Sequence, residues 1–105
     1  MARVVVRYFG PLRDIVGKRS DSISIEDSAT LLDLLETLAG KHGTKFRNFL
    51  FGPDGSVRDG IAFATDGDST PSSKLQRTRC LNIEEFVILP PISGGGQGNA
   101  NLSKS

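Results

Sequence analysis

At 105 residues the chain has room for one domain with one modest core. Thirteen basic side chains against twelve acidic ones leave a formal charge of +1, without a long run of either sign, so neither a nucleic-acid nor a membrane-surface footprint is present. The single cysteine, Cys80, has no partner for an internal disulfide, and the N-terminus opens on a charged, β-branched run instead of a secretory apolar segment. A reducing, cytoplasmic setting is therefore expected. No apolar run approaches the roughly 20 residues needed to cross a bilayer.

Arg3 to Phe9 is dense in β-branched and aromatic residues and halts at Gly10-Pro11, which predicts a strand followed by a break. Leu12, Ile15 and Val16 sit three and four apart, enough for one or two helical turns before Gly17. Ser22-Ile23-Ser24-Ile25 alternates polar and apolar, as a half-buried strand does. The first two strands are expected to pair like a hairpin with a long connection. Leu31, Leu34, Leu35 and Leu38 then fall at i, i+3, i+4 and i+7, placing four leucines on one helical stripe. Thr30 or Ser28 suits its N-cap, Lys41 and His42 its negative end, and Gly43 a left-handed cap.

Farther along, Gly52-Pro53-Asp54-Gly55 is a dense turn signal, and Phe46, Phe49, Leu50 and Phe51 are expected to tuck a loop against the core. Ile61 to Thr65 predicts a short strand stopped by Asp66-Gly67-Asp68, and the polar stretch Ser69 to Ser73 an exposed loop. Glu85 to Leu89 is a strongly apolar strand closed by Pro90-Pro91, which cannot donate ladder hydrogen bonds. Residues 93 to 105 hold one large apolar side chain, Leu102, and are expected to stay disordered. The organisation that follows is an α+β domain over residues 1–92 and a Gly-rich tail over 93–105. Its order of strand, strand, helix, strand, strand, with one main helix on one face of a mixed four- to five-stranded sheet, is the β-grasp (ubiquitin-like) arrangement.

A single main helix covers one sheet face, yet the first and last strands are apolar on both. By parity Val4, Val6 and Tyr8 share a face, as do Phe86 and Ile88, while Phe9, Val87 and Leu89 can fall on the opposite one. That second face is either a partner-docking patch or is covered by the Phe46 to Phe51 segment or by oligomer formation.

The segment Val5-Val6-Arg7-Tyr8-Phe9-Gly10-Pro11-Leu12-Arg13-Asp14-Ile15-Val16-Gly17 resembles the opening of MoaD- and ThiS-type sulfur carriers. The likeness continues through Leu31 to Leu38, through Val57-Arg58-Asp59-Gly60-Ile61, and most specifically through Val87-Ile88-Leu89-Pro90-Pro91-Ile92-Ser93-Gly94-Gly95. It implies a carrier that is not itself an enzyme. Its terminal glycine carboxylate, here Gly95 of the Gly94-Gly95 pair, attacks the α-phosphate of ATP inside an activating enzyme of the MoeB or ThiF type, which supplies ATP and magnesium. Sulfur then displaces AMP, and the thiocarboxylate serves the large subunit of molybdopterin synthase or a thiolation enzyme. Alternatively the glycine is joined to lysines of target proteins. The chain itself is expected to bind no cofactor or metal. Phe9, Arg13, Val87, Leu89, Pro90, Pro91 and Ile92 are the expected partner-binding residues. Gly94 and Gly95 suit a narrow channel because they carry no side chain, and Pro90-Pro91 holds the chain extended as it leaves the sheet.

Carriers of this kind end at the glycine pair, whereas here Gly96 to Ser105 follow. The resemblance therefore requires a protease, such as a JAMM-type metalloprotease, that cuts between Gly95 and Gly96; a chain that is never trimmed would be an unactivated interaction module. Leu81-Asn82-Ile83-Glu84-Glu85 replaces an Asp-Gly-Asp turn before the last strand, and Asp66-Gly67 an Asn-Gly. Gly94-Gly95-Gly96-Gln97-Gly98 lacks the lysine and helix of a phosphate-binding loop. Asp54, Asp59, Asp66 and Asp68 sit in turn signals without calcium-loop spacing, His42 is expected at the surface, and Arg7, Arg13 and Arg58 are open to solvent or to a partner. Cys80 is expected to be structural, although Arg77 and Arg79 beside it would favour a reactive thiolate.

Overall fold

A computed structural model describes residues 1–91. The chain runs through β1 (Ala2–Tyr8), α1 (Pro11–Val16), β2 (Ser20–Ile25), α2 (Leu31–His42), α3 (Thr44–Leu50), β3 (Ala62–Thr65), β4 (Asp68–Thr70) and β5 (Glu85–Leu89), with a 3-10 turn at Ser72–Lys74. The five strands lie in the order β2-β1-β5-β3-β4. Only the central β1/β5 pair is parallel, with Tyr8 opposite Ile88; β1/β2, β3/β5 and β3/β4 are antiparallel. This is the β-grasp arrangement expected from the order of elements, and the hairpin-like β1/β2 pair encloses α1 in its long connection.

The leucine stripe of α2 is what closes the core. Leu31, Leu34, Leu35 and Leu38 are fully buried together with Val4, Val6, Tyr8, Phe86 and Ile88, the inward residues of the two central strands. Burial of each leucine stabilises the fold by about 1.5–3 kcal/mol. The helix starts where Thr30 Oγ1 accepts from the Asp33 amide (3.2 Å) while the Asp33 carboxylate accepts from the Thr30 amide (2.9 Å), a reciprocal capping box. Phe63 of β3 stacks on Phe86 of β5 with ring centroids 5.6 Å apart, tying the outer strands to the centre.

Four expectations are corrected. Phe46 to Phe51 is no loop: the segment is α3, packed beside α2 with Phe46 and Leu50 in the core, because Phe46, Phe49 and Leu50 are spaced three and four apart. Gly43 has φ 94° but ψ −168°, so it is an extended link that ends α2 and starts α3, not a left-handed cap. Ser69 to Ser73 is not a free loop, since Asp68–Thr70 pairs with β3 and Thr70 is buried. Asp66 (φ 48°) and Gly67 (φ 90°) form the turn between these strands, ending β3 at Thr65 as expected.

His42 is the fourth correction. Its side chain is 10% exposed and its Nε2 lies 2.7 Å from Asp21 Oδ2, because the end of α2 drops onto the β1/β2 pair. Asp21 is itself buried, and its carboxylate also accepts from the Tyr8 hydroxyl (2.7 Å), Lys18 Nζ (2.5 Å) and Lys41 Nζ (3.2 Å). Burial pushes the Asp21 pKa up, but the bonds from Lys18, Tyr8, His42 and Lys41 together outweigh it and hold the carboxyl well below the usual range. Burial and the neighbouring Asp21 drive the Tyr8 phenol in the opposite direction, far above its ordinary value.

A carboxylate whose folded pKa is depressed contributes stability that is complete above its unfolded value of about 3.9 and is lost as pH falls toward the folded value. Urea unfolding of the native chain should therefore show stability declining below about pH 4, and Asp21→Asn should flatten that decline. Asp21→Ala, which strands the buried Tyr8 hydroxyl, should cost about 2 kcal/mol at pH 7.

Candidate functional site

The parallel β1/β5 pairing brings two chain segments to one edge of the sheet. β1 ends at Tyr8 directly opposite Ile88, so Phe9 and Gly10 leave the sheet beside the point where Leu89, Pro90 and Pro91 leave it. Gly10 adopts φ 60°, and a Cβ placed on it would stand 2.9 Å from Pro90 Cγ. On the other flank Gly60 adopts φ 90°, and a Cβ there would stand 3.2 Å from Pro91 Cβ. Both contacts depend on hydrogen occupying the place of a side chain. Gly60, Ala62, Leu89, Pro90 and Pro91 line an apolar depression of about 400 Å³ at this exit.

The face of the sheet away from α2 and α3 carries the alternate residues of the central strands. Val5, Val87 and Ala64 are half-buried there, and Leu89 is 37% exposed. Val87 sits between Arg7 of β1 and Ala64 of β3, and Leu89 lies opposite Ala62. The small side chains of Ala62 and Ala64 keep this part of the face low. Arg7 Nε donates to the Glu85 carboxylate across the pair, so these two charges on the face match each other. α3 does not cover this face: Phe46 packs edge-on to Tyr8, an inward residue, at 6.1 Å between centroids.

Phe9 and Arg13 join this edge as one unit. The Arg13 guanidinium carbon lies 5.0 Å from the Phe9 ring centroid, and Arg13 Nε donates to the Tyr8 carbonyl at 3.0 Å. The structure thus brings Phe9, Val87, Leu89, Pro90 and Pro91 to one face and edge, with Arg13 held against Phe9. Arg58, in contrast, is spent locally on the Asn48 carbonyl (2.8 Å). Ile92, Gly94, Gly95 and Gly96 lie outside the described residues, as does the expected disorder of 93–105. Sequence pattern marks Gly10 as a break and Gly60 as part of the family-like segment Val57 to Ile61, and singles out neither of them, nor Ala62 and Ala64, for this site.

The alternative sites do not assemble. Asp66 accepts from the amides of Glu84 and Glu85 (3.1 and 2.9 Å), and Asp54 caps the Ser56 amide and hydroxyl, so both serve turns. Asn82, at φ 72°, takes the left-handed position in the turn before β5. No group of three or more His, Cys, Asp or Glu side chains suited to a metal occurs among the described residues. No helix among them is long and apolar enough to cross a membrane. Cys80 is fully buried, its Sγ 3.4 Å from the Thr30 carbonyl, and burial followed by the Asp33 charge pushes its thiol up to about 11.

Comparison with known proteins agrees with this geometry. The model of the ThiS family matches residues 6–95, most of the chain. The chain belongs to the ThiS family. It is 27% identical over 89 residues to small archaeal modifier protein 1 of Haloferax volcanii, covering 85% of this chain and 97% of the relative. The crystal structure of that archaeal protein superposes with a TM-score of 0.76 over 89% of this chain and 99% of its own. The solution structure of small archaeal modifier protein 1 from Methanosarcina acetivorans is 28% identical, with a TM-score of 0.73 over 90% of this chain and 98% of its own. A Pyrococcus furiosus protein described as molybdopterin converting factor subunit 1, 22% identical, shares the fold with a TM-score of 0.68 over 88% of this chain and 100% of its own. This ThiS-family chain is a ubiquitin-like protein of the small-modifier and sulfur-carrier type, and its relatives are carriers and modifiers. Its matched region ends on Gly95, with ten residues following.

A buried thiol with a raised pKa is a poor nucleophile. Native Cys80 should react with a disulfide reagent at pH 8 at least about 100-fold more slowly than in the urea-unfolded chain, followed by release of the coloured thiolate.

Proposed function

We propose that this protein is a carrier of an activated C-terminal carboxyl group, with Gly95 as the activated residue once the Gly95–Gly96 bond has been cut. The observation that carries the reading is the end of the family match at Gly95 while Gly96 to Ser105 continue. A glycine held in a peptide bond on both sides has no carboxylate, so hydrolysis must come first. In that step water adds across the amide, leaving a carboxylate on Gly95 and an amine on Gly96.

The next steps need little from the carrier. One carboxylate oxygen attacks the α-phosphorus of ATP and pyrophosphate leaves. Hydrosulfide supplied at the activating enzyme then attacks the acyl carbon, AMP leaves with the electron pair of the broken bond, and loss of the S–H proton gives the thiocarboxylate. Magnesium and charge stabilisation come from the partner. This chain contributes shape: the apolar face of Val87 and Leu89 with Phe9 and Arg13 for docking, and a slim end for entry into the enzyme. A thiocarboxylate would serve sulfur transfer, whether for molybdopterin synthesis or for thiolation. The likeness to an archaeal modifier protein over 97% of that protein's length favours a second fate, attack on the activated carbonyl by a lysine amine of a target.

Incubated with an activating enzyme of this class, magnesium and ATP, chain ending at Gly95 should support pyrophosphate exchange, and chain through Ser105 should not. Exchange by the untrimmed chain at the same rate would overturn the cleavage requirement. Mass spectrometry of protein from its native cell separates the fates: sulfur in place of one terminal oxygen marks the carrier, and isopeptide-linked targets mark the modifier. Leu89→Asp in the trimmed chain should raise the KM for the carrier by about ten-fold, a loss of about 1.4 kcal/mol, with an unchanged melting temperature.

A further inference from the structure

The two glycines at the exit of β5 stand out because their positions are constrained twice over. Gly10 and Gly60 both have φ in the left-handed region, and both press against prolines of the departing chain from opposite flanks. Other glycines in the same backbone region lack this second constraint. Gly55 (φ 83°) and Gly67 (φ 90°) have open space where a Cβ would be. Positive φ favours glycine at all four positions, and Gly10 and Gly60 carry a second constraint in the close approach of Pro90 and Pro91.

Sequence and topology explain why such a contact is available. Gly10 lies two residues past the end of the strand that pairs with β5 in parallel, and Gly60 two residues before the start of the strand that pairs with β5 on its other side. The chain leaving β5 is therefore flanked by the end of one neighbour and the approach to the other. A proline ring has fixed φ and few ways to yield, so Pro90 and Pro91 are rigid bodies seated between two glycines. At 2.9 Å a new carbon on Gly10 would lie well inside ordinary carbon contact of about 3.5–4.0 Å, and the Pro90 ring would have to move. At 3.2 Å a carbon on Gly60 would push Pro91 from the other side.

We infer that Gly10 and Gly60 are positioning residues: they form a clamp on Pro90-Pro91 that sets the direction in which the chain leaves the sheet, and thereby presents Gly95 to the enzymes that cut and activate it. This inference rests on the proposed activation of Gly95. The clamp works by limiting orientations, so its loss lowers the fraction of docked complexes in which the carboxylate is aligned, while docking through Val87 and Leu89 persists. It therefore affects kcat more than KM.

The test compares Gly10→Ala and Gly60→Ala with Gly55→Ala and Gly67→Ala. All four place alanine at positive φ, but only the first two meet the prolines. Gly67 is also at the far end of the sheet, beyond Thr65, which pairs with Phe86 near the start of β5. In chain ending at Gly95, Gly10→Ala and Gly60→Ala should each lower kcat for pyrophosphate exchange about ten-fold with KM within about two-fold, and the controls should match the parent. Pro90→Ala, which removes the rigid ring, should lower kcat by itself, and Gly10→Ala should add little to that loss in the same chain, so the two changes are not additive.

A second readout does not depend on activation. A nitroxide on Ser93→Cys in the full chain, with Cys80 replaced by alanine, broadens the amide signals of whatever surface the tail passes. Gly10→Ala and Gly60→Ala should shift that pattern, and Gly67→Ala should not. Unchanged broadening, or equal kcat losses in all four variants, would overturn the clamp. Absence of exchange by the trimmed parent would instead overturn the activation reading, with the nitroxide experiment still deciding the clamp. Thermal melts of each variant identify any that fail to fold; for such a variant, Pro90→Ala or Pro91→Ala alone takes its place, with the same shift of broadening expected and its absence counting against the clamp.

Discussion

The parallel pairing of β1 with β5 is the constraint on which the rest of the molecule depends. It places the first and last strands side by side at the centre of the sheet, and because they run the same way, both release their chains at one edge. A parallel pair needs a long crossover, and the residues between supply α2, whose leucine stripe covers the inner face. The same pairing decides the outer face. Inward residues of β1 and β5 are spent on the core, leaving Val5, Val87 and Leu89 on the side that the helices do not reach. Core, open face and chain exit are thus three consequences of one strand pairing.

The Asp21 cluster shows how the second anchor of the fold works. A buried carboxylate is costly unless its oxygens are occupied, and here four donors, one from β1, one from the approach to β2 and two from the end of α2, converge on it. The cluster fixes the end of α2 against the β1/β2 pair, at the point where the leucine stripe has run out. Apolar burial is non-directional and would allow the helix to slide; charge-assisted bonds with defined geometry oppose that. The sequence offered no spacing that joined Tyr8, Asp21 and His42, because they are brought together only when α2 crosses the sheet.

What was legible in the chain follows the same division between periodic and non-periodic signals. The α2 stripe, the alternation of β2 and the apolar run of β5 each repeat over several residues, and each forms as expected. α3 was hidden because a seven-residue helix shows barely two turns of periodicity, and the aromatic residues and the nearby Gly52-Pro53 favour a loop reading. β4 is three residues long and polar, and it exists through pairing with β3 across the Asp66-Gly67 turn. At the candidate site the outward parity of Val87 and Leu89 was legible, whereas the role of Gly10 and Gly60 was not. A glycine in a sequence signals a break; what stands against the place of its missing Cβ is settled by strand order.

The exit of β5 also separates two physical demands that a carboxyl carrier must meet at neighbouring positions. Recognition favours a fixed surface, since each side chain immobilised on binding costs conformational entropy, and Val87, Leu89 and the Phe9–Arg13 pair are already held by the sheet and by their own contacts. Passage into a narrow site favours a chain without side chains, and the sequence at this point reads Gly94-Gly95. Were the flexible part to begin at Leu89, the end would sample many directions and alignment would be rare. Were the rigid part to extend to Gly95, the end could not thread. Prolines at 90 and 91, seated against glycines from both flanks, fix the direction of the chain where it leaves β5, which is where the proposed function needs it fixed.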